Sequence, residues 1–515
     1  MDKEEKNTMG LTRREMLTAS GLALGGLLIE KAIPGINEVS ANDGCVCPSG
    51  PTCNWDDVPS SQKYTYFDSL DPFVPFDPKT KTTIVPLGEN EMRITFMGSS
   101  IPPTLRHKQQ MMSVFVEVGW DKNKEMPLDQ FVFDCGSGVC TNYAAMNVGF
   151  GRMNKVFINH LHGDHMSDLT HIYCFGPSLD RQFPLYVWGP SASGVESPKG
   201  SGRYYDDGLK AFCKHLREVC RWHTESFSFQ STAYSDYVVP TRKSWGLPCD
   251  PVPVNDDAPN DGYALVPIEL NWRKYGQDEG DNVAYNNPTT GVKISHFPVI
   301  HARQGSIGYK LEWRGLTMIY TSDTKPEYNS IIQASNNGKG VDVLIHEMIV
   351  PAQVWTMKIQ HSNQLPDPNS PGVKWATMVQ NSSHSPQGAF GFLLSQINPR
   401  PRLTVATHFP VADDTVACAL KSVTDHCPDV KMGKDLIWSF DLMTIRVSKD
   451  KITPMRGVVS DFNFAPTGNL PTGTPQTPKY HDASGNGDPY AQICLDTAIP
   501  ACGDNNTCNY REDGY

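Results

Sequence analysis

The run His160-Leu161-His162-Gly163-Asp164-His165 constrains this chain more than any other feature. Four side chains able to ligate a metal fall within six residues, directly after the apolar stretch Val156-Phe157-Ile158, which places them in a loop at a strand's end. Alternate residues leaving a strand share a face, so His160 and His162 can grip one cation while the turn carries Asp164 and His165 to a second. The alternative is a polar turn of surface histidines. It requires three His and one Asp to fall in this order beside an apolar strand by chance.

A two-metal site needs further ligands from distant loops at the same edge of the sheet. His301 follows Pro298-Val299-Ile300, Asp323 follows the apolar run ending at Tyr320, and His408 follows Val405-Ala406-Thr407. Taken singly, each is the kind of residue that more often makes a structural hydrogen bond. Beside the histidine-rich loop they become candidate ligands, with Asp323 the natural bridge, because a carboxylate can hold two cations through its two oxygens, and His301 and His408 terminal. His171, His296 and His361 do not fit the ligand order and are expected to be structural or solvent-exposed.

With 515 residues, 39% of them apolar and 20% charged, the chain can form one large domain with insertions or two ordinary ones. Its net charge of −11 argues against a surface that neutralises a phosphate backbone, so nucleic acid is an unfavoured partner. Thr12-Arg13-Arg14-Glu15-Met16-Leu17, a mild apolar stretch from Ala19 to Ile29, and Val39-Ser40-Ala41 resemble a twin-arginine export signal over 1–41. The stretch is too short and glycine-rich for a stable transmembrane anchor. The expectation is therefore an exported, periplasmic or extracellular protein that meets the Tat translocase. Fourteen cysteines suit such a compartment, with disulfides expected among Cys45, Cys47, Cys53, Cys494, Cys502 and Cys508 in the tails.

Residues 42–83 are rich in Pro, Ser and Asp and read as an irregular segment, as does the tail 465–515. Between them a catalytic domain is expected over 84–464. Its β-rich runs include 92–97, 113–118, 130–133, 309–313, 318–320 and 341–345, and helix-like stretches at 207–222 and 387–397 are interspersed. Strands mixed with helices imply an α/β layered fold, sheets covered by helices. The aromatic, proline-bearing and acidic stretch 224–291 is expected to be an insertion near the pocket.

Over most of 92–410 the chain resembles ribonuclease Z and its relatives in the metallo-β-lactamase superfamily. The resemblance rests on Ile94-Thr95-Phe96-Met97-Gly98, Phe133-Asp134-Cys135-Gly136-Ser137-Gly138, the His160 to His165 run, Leu185-Tyr186-Val187-Trp188-Gly189-Pro190, His301 with Gly308-Tyr309, Ser322-Asp323-Thr324, Leu344-Ile345-His346-Glu347 and Thr407-His408-Phe409. It implies an αββα sandwich holding two divalent metals at one edge. His160, His162 and His301 would take one, Asp164, His165 and His408 the other, with Asp323 between and Asp134 steadying the histidine loop. It further implies His384, of the pair His384-Ser385, as proton donor, oriented by Glu347, and makes a homodimer an expectation.

The imidazole-rich set favours Zn2+ over Mn2+ or Fe2+. Paired cations acidify a shared water and neutralise developing oxygen charge, with Asp164 orienting the nucleophile and taking its proton. Hydrolysis is the expected reaction. Export and the acidic insertion point to a small phosphodiester, sulfate ester or related ester; a ribonuclease Z-like endonuclease processing tRNA 3′ ends and an inactive metal-binding relative are the other readings.

Overall fold

The structure is a computed structural model that describes residues 70–75, 84–102, 109–177, 179–181, 183–227, 262–274, 282–350, 352–360, 362, 364–409 and 413–459. The export signal, residues 42–69, the tail 465–515, the cysteines of both tails, His361, and Asp256, Asp257, Asp278, Glu279 and Asp281 of the expected insertion lie outside the described residues. The irregular reading of 42–83 is corrected at Pro72–Phe73, which forms a short strand. Among the described residues no helix is long and apolar enough to cross a membrane.

The long apolar runs become strands buried on both faces. Among the described residues one sheet has nine strands: β1 (Pro72–Phe73), β2 (Met92–Gly98), β3 (Ser113–Val118), β4 (Asp129–Phe133), β5 (Lys155–Phe157), β6 (Leu185–Pro190), β7 (Leu265–Leu270), β15 (Met443–Val447) and β16 (Ile452–Gly457), in the order β1-β16-β15-β2-β3-β4-β5-β6-β7. The other has seven strands: β8 (Val283–Asn287), β9 (Val292–Pro298), β10 (Ile307–Trp313), β11 (Leu316–Tyr320), β12 (Val343–Glu347), β13 (Leu403–Thr407) and β14 (Leu436–Trp438), in the order β14-β13-β12-β11-β10-β9-β8.

Period-two alternation sorts the side chains into layers. Val114, Val116, Phe131 and Phe133 from the first sheet meet Met318, Tyr320, Val343 and Ile345 from the second in one core between the sheets. Their neighbours point outward. Phe115 and Val132 pack with Tyr143 of α1 (Val139–Ala145), Ile172 of α3 (Leu169–Phe175) and Leu216 of α4 (Leu209–Phe227). Ile319 and Leu344 pack with Ala334 of α5 (Tyr328–Ser335), Trp355 of α6 (Ala352–Ile359), Val373 of α7 (Pro371–Ser383), Phe390 of α8 (Gln387–Gln396) and Leu420 of α9 (Asp413–His426). Helices thus cover the outer face of each sheet, the expected αββα order.

The expectation of an insertion over 224–291 is corrected in part: that stretch supplies β7 and β8, the edge strands of the two sheets. Tyr285 of β8 reaches across, its ring 5.3 Å from that of Phe131 and its hydroxyl donating to Asp129 at 2.8 Å.

One ionic cluster is buried under this framework. Glu117 on β3, 3% exposed, takes a two-pronged pair of bonds from Arg93 at 2.6 and 2.7 Å and a further bond from Arg152. Burial alone would raise the Glu117 carboxyl, but the two guanidinium groups outweigh it and hold it below its ordinary value. Glu117→Gln leaves two cations facing a neutral group, so a loss of about 3–5 kcal/mol in unfolding free energy is expected. The depressed pKa sets the sign of the pH effect. Its contribution is present above the ordinary carboxylate range and is lost as pH falls through the folded value. Urea titrations of both proteins at neutral and acidic pH should therefore converge; a gap that stayed constant with pH would refute the account.

Candidate metal centre

Strands of both sheets carry the site at their C-terminal ends, where loops are free to vary above a rigid sheet. Asp134 follows β4, His160 and His162 follow β5, His301 follows β9, Asp323 follows β11 and His408 follows β13; Glu347 is the last residue of β12. Asp164 and His165 lie on α2 (Gly163–Met166), and His384 caps the C-terminus of α7.

The histidine loop is clamped from behind. Cys135 N–H donates to His165 O at 2.7 Å and Met112 N–H to Asp164 O at 3.1 Å. Gly136 is required there, because a Cβ would stand 2.0 Å from Asp164 O. Asp134, Ser322 and His408 each take a left-handed backbone, with φ of 57°, 55° and 58°. Such strain collects where a loop must turn a side chain into a site, and here it marks three loops at one edge.

All seven side chains expected as ligands come together. His160, His162 and His301 present nitrogens within 4.8 Å of one another, and so, separately, do the ligand atoms of Asp164, His165, Asp323 and His408. Asp323 joins the two groups: its Oδ1 lies 3.3 Å from His165 Nε2, its Oδ2 3.5 Å from His408 Nε2 and 3.7 Å from His301 Nε2. Asp164 Oδ2 lies 3.0 Å from His165 Nε2 and 3.3 Å from His408 Nε2.

Two observations fit a divalent cation. Both ring nitrogens of His160, Nε2 of His165, Nδ1 of His408 and Oδ1 of Asp323 are buried without a hydrogen bond. Native interiors rarely leave such atoms unpaired, and a cation coordinated by one His160 nitrogen, His165 Nε2 and Asp323 Oδ1 would account for three of the five. The field is also strongly negative. Burial disfavours charge on His408, yet Asp323, Asp164 and Glu347 push it up to about 10. On the other side of Asp323, burial with His165 and His301 nearby outweighs that carboxylate and holds His160 well below its ordinary value, and burial lowers His301 to about 4, so both keep the neutral form that binds metal.

A surrounding layer holds these ligands in place. Asp134 Oδ2 accepts from His165 Nδ1 at 2.8 Å, Tyr320 Oη at 2.7 Å and Ser322 Oγ at 3.0 Å, while its Oδ1 accepts from Asn159 N–H at 2.9 Å. His301 Nδ1 donates to Ser383 O at 2.8 Å. Glu347 Oε2 accepts from His384 Nδ1 at 2.8 Å and Oε1 accepts the Thr324 N–H. The His384 ring lies 4.9 Å from His301 and stacks 5.7 Å from His408. Burial opposes charge on His384, but Glu347 overrides it and raises the imidazole. Neither His171 nor His296 joins the cluster: His171 packs on Phe175, and His296 Nε2 bonds Asn271 O.

No family model matches the chain. It is 24% identical over 265 residues to ribonuclease BN of Proteus mirabilis, covering 50% of this chain and 76% of that protein. To ribonuclease Z of Natronomonas pharaonis it is 26% identical over 268 residues, 50% of this chain and 74% of that one. A shorter match of 106 residues reaches 39% identity with ribonuclease Z of Treponema denticola, over 20% of this chain and 34% of that one. The chain is a ribonuclease Z-like hydrolase of the metallo-β-lactamase fold. Among solved structures it is similar to the metallo-β-lactamase fold protein YhfI of Bacillus subtilis (TM-score 0.39, 12% identity, 70% of this chain and 100% of that one). It is also similar to the short form of human tRNase Z (TM-score 0.36, 17% identity, 68% and 98%).

This ribonuclease Z-like hydrolase is metal-dependent, and its site holds more than the sequence disclosed. Ser322, Tyr320, Asn159 and the Ser383 carbonyl fix the ligands, yet nothing in the sequence marks one serine or tyrosine as a partner of Asp134. Only the position of Ser322, directly before Asp323, offers a usable signal.

Proposed function

We propose that this hydrolase cleaves phosphodiesters, with RNA as the first substrate to test and two divalent cations, most readily Zn2+, at the centre. The observation that supports it is the convergence of seven ligand side chains on one sheet edge beside the His384–Glu347 pair. The relatives are named ribonucleases, which favours the ribonuclease Z-like reading over the small exported ester expected from charge and the N-terminal segment.

Bound cations at such a centre supply Lewis-acid neutralisation of a phosphoryl oxygen and acidify water. His160, His162 and His301 would hold one, Asp164, His165 and His408 the other, and Asp323 would reach both. The chain's own groups do the rest. Asp164 orients the attacking water and accepts its proton; His384 donates a proton to the departing oxygen. Glu347 fixes the His384 ring through Nδ1 and stabilises its positive form, leaving Nε2 as the donor on the far side of the ring.

The small-ester reading keeps one support, the net charge of −11, which suits an uncharged or singly charged substrate better than a long polyanion. Export through a twin-arginine route stands as a proposal with it, checked by whether the mature protein begins near residue 42 in a periplasmic fraction. The deciding assay offers metal-analysed protein an RNA with a 3′ extension, a bis-aryl phosphodiester, an aryl sulfate, a lactone and a β-lactam. Turnover of the phosphorus substrates is expected. Fully metal-loaded protein that turns over only the sulfate, the lactone or the β-lactam, or none of the panel, would overturn the proposal.

A further inference from the structure

Beside His160, His162 and His301 lies a cavity of about 370 Å³, within the range of roughly 300–1,000 Å³ usual for small ligands and far too small for a folded nucleic acid. Leu161, Pro190 and Phe212 give it apolar walls. Besides the ligand histidines and His215, its ionisable groups are Arg303, Asp206 and Asp207, one guanidinium against two carboxylates.

The guanidinium is already engaged. Arg303 Nε donates to Asp207 Oδ2 at 2.7 Å, its Nη2 bonds the same oxygen, and its carbon lies 5.0 Å from the centre of the Tyr205 ring. Asp207 in turn accepts from Ser193 N–H and Oγ, both at 2.8 Å. This lattice ties the loop after His301 to the segment before α4. The guanidinium is thus spent on Asp207, and Asp206 stands as a second carboxylate on the lining.

Resting on the phosphodiester reading above, we propose that this cavity seats one terminal, uncharged arm of the substrate, a nucleoside or an aryl group, and rejects an arm that continues into another phosphate. Apolar walls take a ring by burial and stacking. A further phosphate there would lie against Asp206 and Asp207, with the Arg303 guanidinium already engaged by Asp207. Hydrolysis breaks one P–O ester bond: water supplies oxygen to phosphorus, and a proton reaches the released alcohol. The substrate class is a diester with one small free end, whether the end of an RNA or a small diester.

The test compares two dinucleotides that differ only at the 3′ terminus, one ending in a hydroxyl and one in a phosphate, with bis-aryl phosphodiester as control. On the unaltered, metal-loaded protein, kcat/KM is expected to be at least about tenfold higher for the 3′-hydroxyl substrate, the scale of one like-charge contact at a protein surface. Asp206→Lys should narrow that ratio to within about threefold, and Phe212→Ala should raise KM for both dinucleotides. Equal turnover of the two substrates, or preference for the phosphate, overturns the proposal even if Asp206→Lys fails to fold. Absence of turnover on every phosphodiester, control included, instead removes the phosphodiester reading on which it rests.

Discussion

Asp164→Ala is expected to lower kcat on a phosphodiester substrate by roughly 10²–10⁴-fold, the usual worth of a positioned acid or base. Folding should survive, because the loop is held through backbone atoms that the change leaves alone: Asp164 O still accepts from Met112 and His165 O from Cys135. The carboxylate faces His165 and His408 at 3.0 and 3.3 Å, so its loss also removes an oxygen from the group that would hold the second cation. Asp164→Asn separates the two contributions. An amide oxygen remains available for coordination but cannot take a proton, so metal content measured by mass spectrometry should stay near that of the parent protein while kcat falls. If Asp164→Asn kept both metal and full activity, Asp164 would be a ligand only and proton acceptance would belong elsewhere.

How much of the molecule is legible in its sequence depends on how locally each group announces itself. The His160 to His165 run stands out by itself, since a turn has no structural need for four ligand-type side chains packed into six residues. His301, Asp323 and His408 carry no such mark. Each is legible through its place after an apolar strand and through the resemblance to ribonuclease Z, and the parallel register of β11, β12 and β13 is what brings two of them to one edge. The strands buried on both faces are equally legible, because sandwiching between a second sheet and a helix layer demands continuous apolar runs.

The edge strands are not. β7 contains Pro267, which is tolerated because, among the described residues, β7 pairs on one side only, with β6. β8 ends in Asn286 and Asn287 and is irregular between Val283 and Tyr285. Such sequences look like loops because an unpaired side needs neither apolar side chains nor a full set of donors. The residues that steady the ligands are hidden for a different reason: Ser322 and Tyr320 act on Asp134 from almost two hundred positions away, and only the packing of the two sheets makes them neighbours.

That hub yields the second large effect. Asp134→Asn retains a residue type that accepts a left-handed backbone, so the turn after β4 should hold. It nevertheless presents an amide where one carboxylate oxygen took bonds from His165, Tyr320 and Ser322. Each buried donor left without an acceptor costs about 1–3 kcal/mol, and the His165 ring loses the bond that aims Nε2 at the centre. Metal affinity is therefore expected to fall about 10–100-fold, with a lower thermal midpoint. The two losses are separable by adding Tyr320→Phe, which removes one stranded donor. The double variant should recover part of the midpoint, while metal affinity stays low because His165 is still unsupported. Parent-like affinity in Asp134→Asn, measured by competition with a chromophoric chelator, would show that the sheet alone positions the imidazole.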